Sequence, residues 1–466
     1  MIQLVLAALI AQEPPATEVA RLKAVHARVT QLGQTNGDSI WPGFRPDTIP
    51  VLYVLPGQGV LLLGWSGPAP EGFTPVAGGA WQPSTERGAA STGTELAGRR
   101  AAQVVVGTQT VPELVGISVH EAFHVFQAAA RKTGRRFGQG ENSFLVSSYP
   151  VFDAKNEAGM ALEGRILAAA ERARSGTAKR ALAREFLAVR ESRHRTLGGD
   201  LAAFEQLAEL NEGLAEYALL RAGEITKEHP TFGDRLAGLD ALTADRTRSF
   251  RLRYYATGSA QAHLLDLLAG RSFSWKARLV AENLTLQDLL AEVSEYRRAE
   301  HDLRRQAEGA FAMRAIEAAA DTGIGKLRAF RRAQVDSLLG APGVLLVVTL
   351  EGRSIGFCGI DPQNLLQVDQ GVLLHTRWFQ PCAGDALNAT FNTPVVQDRN
   401  ASSLRAVVGA DSGVRLTVAG QATELRDGSR LENATAVQLE SPLFTLQAAK
   451  ADISREGRVL TVKVKM

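Results

Sequence analysis

With only two cysteines in 466 residues, the chain can close at most one internal disulfide, so buried apolar surface has to hold it together. An excess of one charge is missing too. Lysine and arginine number 52 against 49 acidic residues, a formal net charge of +3, and the two signs are interspersed. Nothing in that balance calls for a nucleic-acid partner. Internal sequence repeats are absent, and so are hydrophobic runs of membrane-spanning length. The opening run Met1–Gln12 holds about ten apolar residues ahead of Glu13-Pro14-Pro15. It is too short to cross a bilayer but suits the apolar part of a secretory signal (residues 1–11) cleaved after Ala11, although basic residues ahead of it are lacking. A secreted or periplasmic mature chain with no integral membrane segment is the expectation, and a buried first strand is the alternative reading of the segment.

What is present is an ordinary globular composition, 45% hydrophobic and 22% charged. The length calls for two or three domains. The expected fold class is multidomain α+β: an N-terminal α/β region (12–110), a helical region (111–339) and a β-rich region (340–466). Val19, Leu22, Val25 and Val29 predict a helix over 16–35. Two apolar runs, Ile49–Pro56 and Val60–Trp65, flank Gly57-Gln58-Gly59 and predict a hairpin. Residues 66–98, rich in Gly, Pro, Ser and Thr, read as loop, and Gln103–Gly107 as a strand. Such a sheet is first of all scaffold, with the further option of offering an edge strand to an extended peptide. Residues 134–150 read as a segment bordering a cleft. From Asp153 to about Arg195 the pattern is helical and crowded with Arg and Lys, which predicts a solvated face that includes His194. The chain is helical again over 275–339. After Gly340–Gly343, short β-like runs separated by Gly, Asn and Asp turns predict an all-β, sandwich-like domain. Cys358 and Cys382 lie in this part, as one short disulfide loop or as two buried thiols.

The chemistry lies in the middle region. His120-Glu121-Ala122-Phe123-His124 places two imidazoles four residues apart, about 40° around a helix axis, so both reach one metal ion from the same face. Glu121, beside the first histidine, then faces a water on that metal rather than the metal itself. The helix is announced by Thr110-x-x-Glu113, a capping box, and by Pro112 in the first turn. Such a pair of histidines needs a third ligand and supporting groups before it makes a site. A helix over 201–221 supplies candidates in Asn211-Glu212-Gly213-Leu214-Ala215-Glu216-Tyr217. Glu212 and Glu216 share an apolar-leaning face, where unpaired carboxylates are costly. Glu212 is therefore the expected third ligand, and Glu216 the expected acceptor for a ligand imidazole. Gly213 is expected to let this helix approach the HExxH helix. Glu157 is the rival third ligand, but no carboxylate follows it at helical spacing.

These two motifs, in this order, resemble the gluzincin group of zinc metallopeptidases, in which a glutamate on a later helix completes a His-His-Glu site. The likeness covers about residues 110–270. It implies a zincin-like helical catalytic region, one Zn²⁺ per chain and a peptide or protein substrate. It also implies metal ligands at His120, His124 and Glu212, with Glu121 as general base. Arg253–His263 holds a Tyr-x-x-Gly that resembles aminopeptidase-like members, where the tyrosine stabilises the oxyanion. Tyr255 matches it, with Tyr254 and His263 as fallbacks. Two features depart from the group. The third ligand follows far later in the chain than in its best-known members, and the Gly-x-Met-Glu-Asn motif that reads a free amino terminus is absent, so exopeptidase activity is not implied. The sequence-level expectation is a zinc peptidase. The alternatives are an inactive scaffold keeping that fold and a zinc hydrolase of another bond.

Overall fold

The computed structural model describes residues 15–84, 90–228, 230–240, 250–270, 273–297, 301–409 and 413–465. The expected signal segment lies outside them. The helices run in the order α1 (Ala16–Ile40), α2 (Val111–Ala129), α3 (Ala154–Arg172), α4 (Gly176–Leu197), α5 (Gly199–Ala208), α6 (Leu214–Thr226), α7 (Phe232–Asp240), α8 (Arg253–Leu268), α9 (Trp275–Glu282), α10 (Leu286–Ser294), α11 (His301–Ala310) and α12 (Met313–Gly340). Six strands precede α2: β1 (Val51–Leu55), β2 (Gly59–Leu63), β3 (Thr74–Val76), β4 (Gly79–Pro83), β5 (Thr92–Leu96) and β6 (Arg99–Val105). The chain divides into two compact units. One takes in the described residues of Met1–Glu141, Met160–Ala241 and Arg253–Ala312; the other takes in those of Asn142–Gly159, Leu242–Leu252 and Met313–Met466.

In the first unit the six strands form one sheet in the order β3-β4-β2-β1-β6-β5. The expected hairpin is β1–β2, in register from Val51↔Leu63 to Leu55↔Gly59. All five residues of β1 are buried, as a central strand with both faces covered requires. α2 packs onto this sheet, and the Tyr53 hydroxyl lies 3.2 Å from Ser118 Oγ on α2. The stretch expected to be loop, 66–98, contains β3, β4 and β5 instead. These are short and Gly- or Thr-rich, so their partners rather than their composition make them strands. β5 is folded onto β6 through Ala97 and Gly98, both at positive φ (46° and 73°), the backbone a two-residue hairpin turn needs.

The basic stretch 153–195 is helical, as expected, but its face differs from the expectation. It is two helices, α3 and α4, the second capped by Ser175 Oγ accepting from Ala178 N–H. Its face is not wholly solvated. Arg190 and Arg193 are buried, at 0% and 7% exposure. Arg190 binds Glu163 at 3.0 Å and Glu209 at 2.7 Å, and Arg193 binds Glu163 at 2.6 Å and Glu205 at 2.5 Å. His194, expected in solvent, sits 2.9 Å from Glu205. Burial of these cations follows from the three glutamates that α3, α5 and the turn after α5 bring to meet them.

The second unit is all-β after α12, as expected. Among the described residues its thirteen strands, from Leu345–Leu350 to Val459–Val464, form one hydrogen-bonded network with a near-closed, barrel-like path of ten strands. The strands that come first and last in the chain are neighbours in the middle of that path and pair in parallel, Leu345↔Val459 to Leu350↔Val464. Along Phe444–Glu456 buried and exposed residues alternate at first, and the inward set (Phe444, Leu446, Ala448, Ala451, Ile453) joins the core around Phe379 and Phe391. Cys358 and Cys382 form a disulfide across two neighbouring strands, Cα to Cα 5.7 Å. Among the described residues no helix is long and apolar enough to cross a membrane.

Candidate metal centre

α2 carries the first half of the site because its start and its face are both specified locally. Thr110 Oγ accepts from Glu113 N–H at 3.4 Å and Glu113 accepts from Thr110 N–H at 2.7 Å, the reciprocal cap expected from the sequence. Leu114, Val115, Val119, Ala122 and Phe123 are buried, so the helix is held on its apolar side and its histidines cannot rotate into solvent. α2 meets α6 at Gly116, where an added Cβ would stand 3.1 Å from Leu219 Cγ. The second half of the site lies where α5 passes into α6. There Glu209–Gly213 form a π-helical turn, a widening of the backbone that brings Glu212 inward.

The result is a close triangle. His120 Nε2 and His124 Nε2 are 3.2 Å apart, and Glu212 Oε2 lies 3.5 Å from the first and 3.3 Å from the second. All three residues are largely buried, and among the described residues they are the group of this kind that could hold a metal ion. A tetrahedral zinc ion with ligands at about 2.0–2.1 Å sets its donor atoms roughly 3.3–3.4 Å apart, so the three edges match one face of that tetrahedron. Glu157, the rival third ligand, is not in this group.

The outer nitrogens explain why the inner ones converge. His124 Nδ1 is 3.1 Å from Gln127 Oε1, and Gln127 Nε2 in turn donates to Leu210 O at 2.8 Å. An amide oxygen can only accept, so Nδ1 of His124 carries the proton and its Nε2 presents a lone pair. His120 Nδ1 faces Glu216 Oε2 at 3.6 Å, long for a hydrogen bond but close enough to favour a proton on that nitrogen. The other oxygen of Glu216 is 2.8 Å from Arg235 Nε. Gln127 and Arg235 were not among the sequence candidates. For Gln127 a signal existed: it follows His124 by three residues and so shares its face. Arg235 comes from α7 and has no such local mark.

Three electron-rich atoms this close repel one another unless positive charge lies among them. Without a metal, protons fill that role. Burial alone would lower His120, but Glu212 and Glu216 outweigh it and push it up to about 10. His124 is raised as well, burial again being overcome by Glu212. Burial would lift Glu216, yet His120 and Arg235 hold it below the usual carboxylate range. Glu121 behaves differently. Burial raises its pKa against the pull of His120 and His124, and its Oε2 is enclosed with no hydrogen-bond partner. A buried carboxyl oxygen without a partner is an unmet hydrogen-bonding demand next in sequence to His120.

The aromatic candidates separate. The Tyr255 ring stacks on His120, centroids 5.6 Å apart and 9° from parallel. Tyr254 is wholly buried and its hydroxyl donates to Glu205 at 3.3 Å, in the arginine network. His263 pairs with Glu171 at 2.8 Å and stacks on Phe232. Gly213 is a close-packing position, as expected, but toward a different partner. An added Cβ would lie 2.5 Å from Gly258 Cα and 2.9 Å from Tyr254 O, so the glycine admits α8 rather than α2.

No known protein family matches the chain, and neither a curated protein nor a solved structure does.

Proposed function

We propose that the protein is a zinc-dependent peptidase of the gluzincin type. The observation that carries this reading is the His120–His124–Glu212 triangle, with edges of 3.2–3.5 Å, together with the unpartnered carboxyl oxygen of the adjoining Glu121. His120, His124 and Glu212 would hold the ion. A zinc ion there would supply Lewis acidity, polarising a carbonyl and lowering the pKa of a water from about 16 to about 7. Glu121 takes the proton of the attacking water and returns it to the leaving amine, a role suited to a carboxyl whose pKa is raised by burial. Gln127 and Glu216 orient the two imidazoles from behind. Tyr255, whose ring stacks on that of His120, would donate to the oxyanion.

A peptide as substrate is supported by β5. Among the described residues this strand pairs with β6 alone, so its outer edge has backbone donors and acceptors to offer. It runs along α2 at the site, with the Cβ direction of Gly93 pointing 3.8 Å from His124 Cβ. The Cys358–Cys382 disulfide fits the oxidising compartment expected of an exported enzyme.

The test is zinc per chain by elemental analysis of wild type, Glu212→Ala and Glu157→Ala, with casein cleavage by wild type and Glu121→Gln. One zinc in wild type and in Glu157→Ala, none in Glu212→Ala, and cleavage lost only with Glu121 or the metal are the expected results. A wild-type chain purified without chelator that holds no zinc overturns the reading. Zinc without cleavage of peptides keeps the centre and moves the substrate to another bond.

A further inference from the structure

A cavity of about 490 Å³ opens in the first unit beside the C-terminal half of α2. Trp41, Phe126, Phe137 and Val280 provide its apolar walls. Trp41 and Phe137 are stacked 5.6 Å apart and buried, so these walls are preformed. Phe126 follows His124 by two residues, about 200° around the helix. The cavity therefore faces away from the metal triangle and has no part in the reaction proposed above.

Its charge is one-sided. Lys132, Arg135 and Lys276 are among the lining residues, and among the described residues no carboxylate is. Arg135 is anchored by donating to Ala281 O at 2.8 Å, and Lys276 by donating to Ile40 O at 2.8 Å. Lys276 also lies over the rings of Tyr217 and Trp41, 4.9 and 5.8 Å from their centroids. Each keeps further N–H groups. Lys276 is partly answered by Asp266, 3.7 Å away, so Lys132 and Arg135, at the rim of an apolar hollow whose described lining holds no acid, leave charge that a ligand can complement.

We propose that this cavity binds a small amphiphilic anion, a carboxylate carried on an apolar chain or ring. The apolar body exchanges water for the less buried walls, Phe126, Ala277 and Val280, which supplies the driving force, and the carboxylate meets Lys132 and Arg135 at the rim. A cationic amphiphile would gain the same burial but meet repulsion. The volume lies in the range of small-molecule sites, roughly 300–1,000 Å³.

The full-length chain, titrated calorimetrically with decanoate below its micelle concentration, tests this against decyltrimethylammonium. Expected are one decanoate per chain, a change in tryptophan emission as the hollow beside Trp41 fills, and no saturable binding of the cation. Ala277→Phe fills the hollow from an exposed lining position and Lys132→Glu reverses a charge at the rim, also from an exposed position. With circular dichroism unchanged, each should weaken decanoate at least tenfold. No binding to wild type, equal binding of the cation, or binding indifferent to both variants overturns the proposal.

Discussion

Arg190→Met tests the buried charge network that stands behind the candidate metal centre. The Arg190 side chain is 1% exposed and holds Glu163 and Glu209, themselves 1% and 2% exposed. Methionine keeps much of the volume but leaves both carboxylates short of a cation. Glu163 retains Arg193, and Glu209 retains only the Thr257 hydroxyl, at 2.6 Å. Removing one partner of a buried pair costs about 3–5 kcal/mol, most of it the penalty of the stranded charge. The double variant Arg190→Met/Glu209→Gln takes away that charge, so it should recover about 2–3 kcal/mol of the loss, a coupling that a double-mutant cycle reads directly. A second consequence is local. Glu209 opens the π turn that carries Glu212, whereas the carboxylates that Arg193 binds, Glu163 and Glu205, lie outside the turn. Arg190→Met should therefore weaken zinc about tenfold, a loss Arg193→Met should not share despite a similar cost in stability. Urea unfolding followed by circular dichroism gives the first quantity and competition with a chromophoric chelator the second. An Arg190→Met variant within about 1 kcal/mol of wild type would refute the argument that these charges are dry and interdependent.

Gln127→Met removes the acceptor behind His124 and should weaken zinc about 10–100-fold while leaving α2 folded, read by the same competition assay. Gly213→Ala drives a methyl group into the backbone of α8, 2.5 Å from Gly258 Cα, and should cost about 1–3 kcal/mol in urea unfolding. His375, in the second unit, is buried, and burial holds its pKa down at about 4 against an ordinary 6.5. Its neutral form is the folded one, so its contribution is complete above pH 6.5, declines as pH falls and is gone below about 4, some ~3 kcal/mol in all. His375→Gln should remove that part of the acid sensitivity, measured as the change in unfolding free energy between pH 7.5 and 4.5.

The elements legible in the sequence are those whose reasons are local. α2 is marked by a capping box and an apolar stripe, β1 and β2 by apolar runs around glycines, and the second unit by alternation and turns. What was missed was set by partners distant in the chain. β3, β4 and β5 carry little β-forming composition and exist because β2 and β6 offer edges to them. The arginines of α4 look like a solvated face until Glu163, Glu205 and Glu209 are placed opposite, and nothing in the spacing of the arginines reports that.

The candidate metal centre shows the same division. His120 and His124 lie one turn apart, so a ruler of 3.6 residues suffices to bring them together. Glu212 was reached by a different argument, that a carboxylate on an apolar face needs a cation, and this gave the residue without its geometry. The inward placement depends on the π turn at Glu209–Gly213, which no pattern of apolar residues announces. That turn is fastened by tertiary contacts: Arg190 and Thr257 hold Glu209, Gln127 reaches the carbonyl of Leu210, and Gly213 lies against Gly258. A backbone widening is costly when isolated and persists where its surroundings over-determine it. The ligand that sequence reasoning could name is thus the one whose position it could not explain. Substitutions at Arg190, Gln127 and Gly213 should accordingly alter zinc binding although none of these side chains belongs to the triangle.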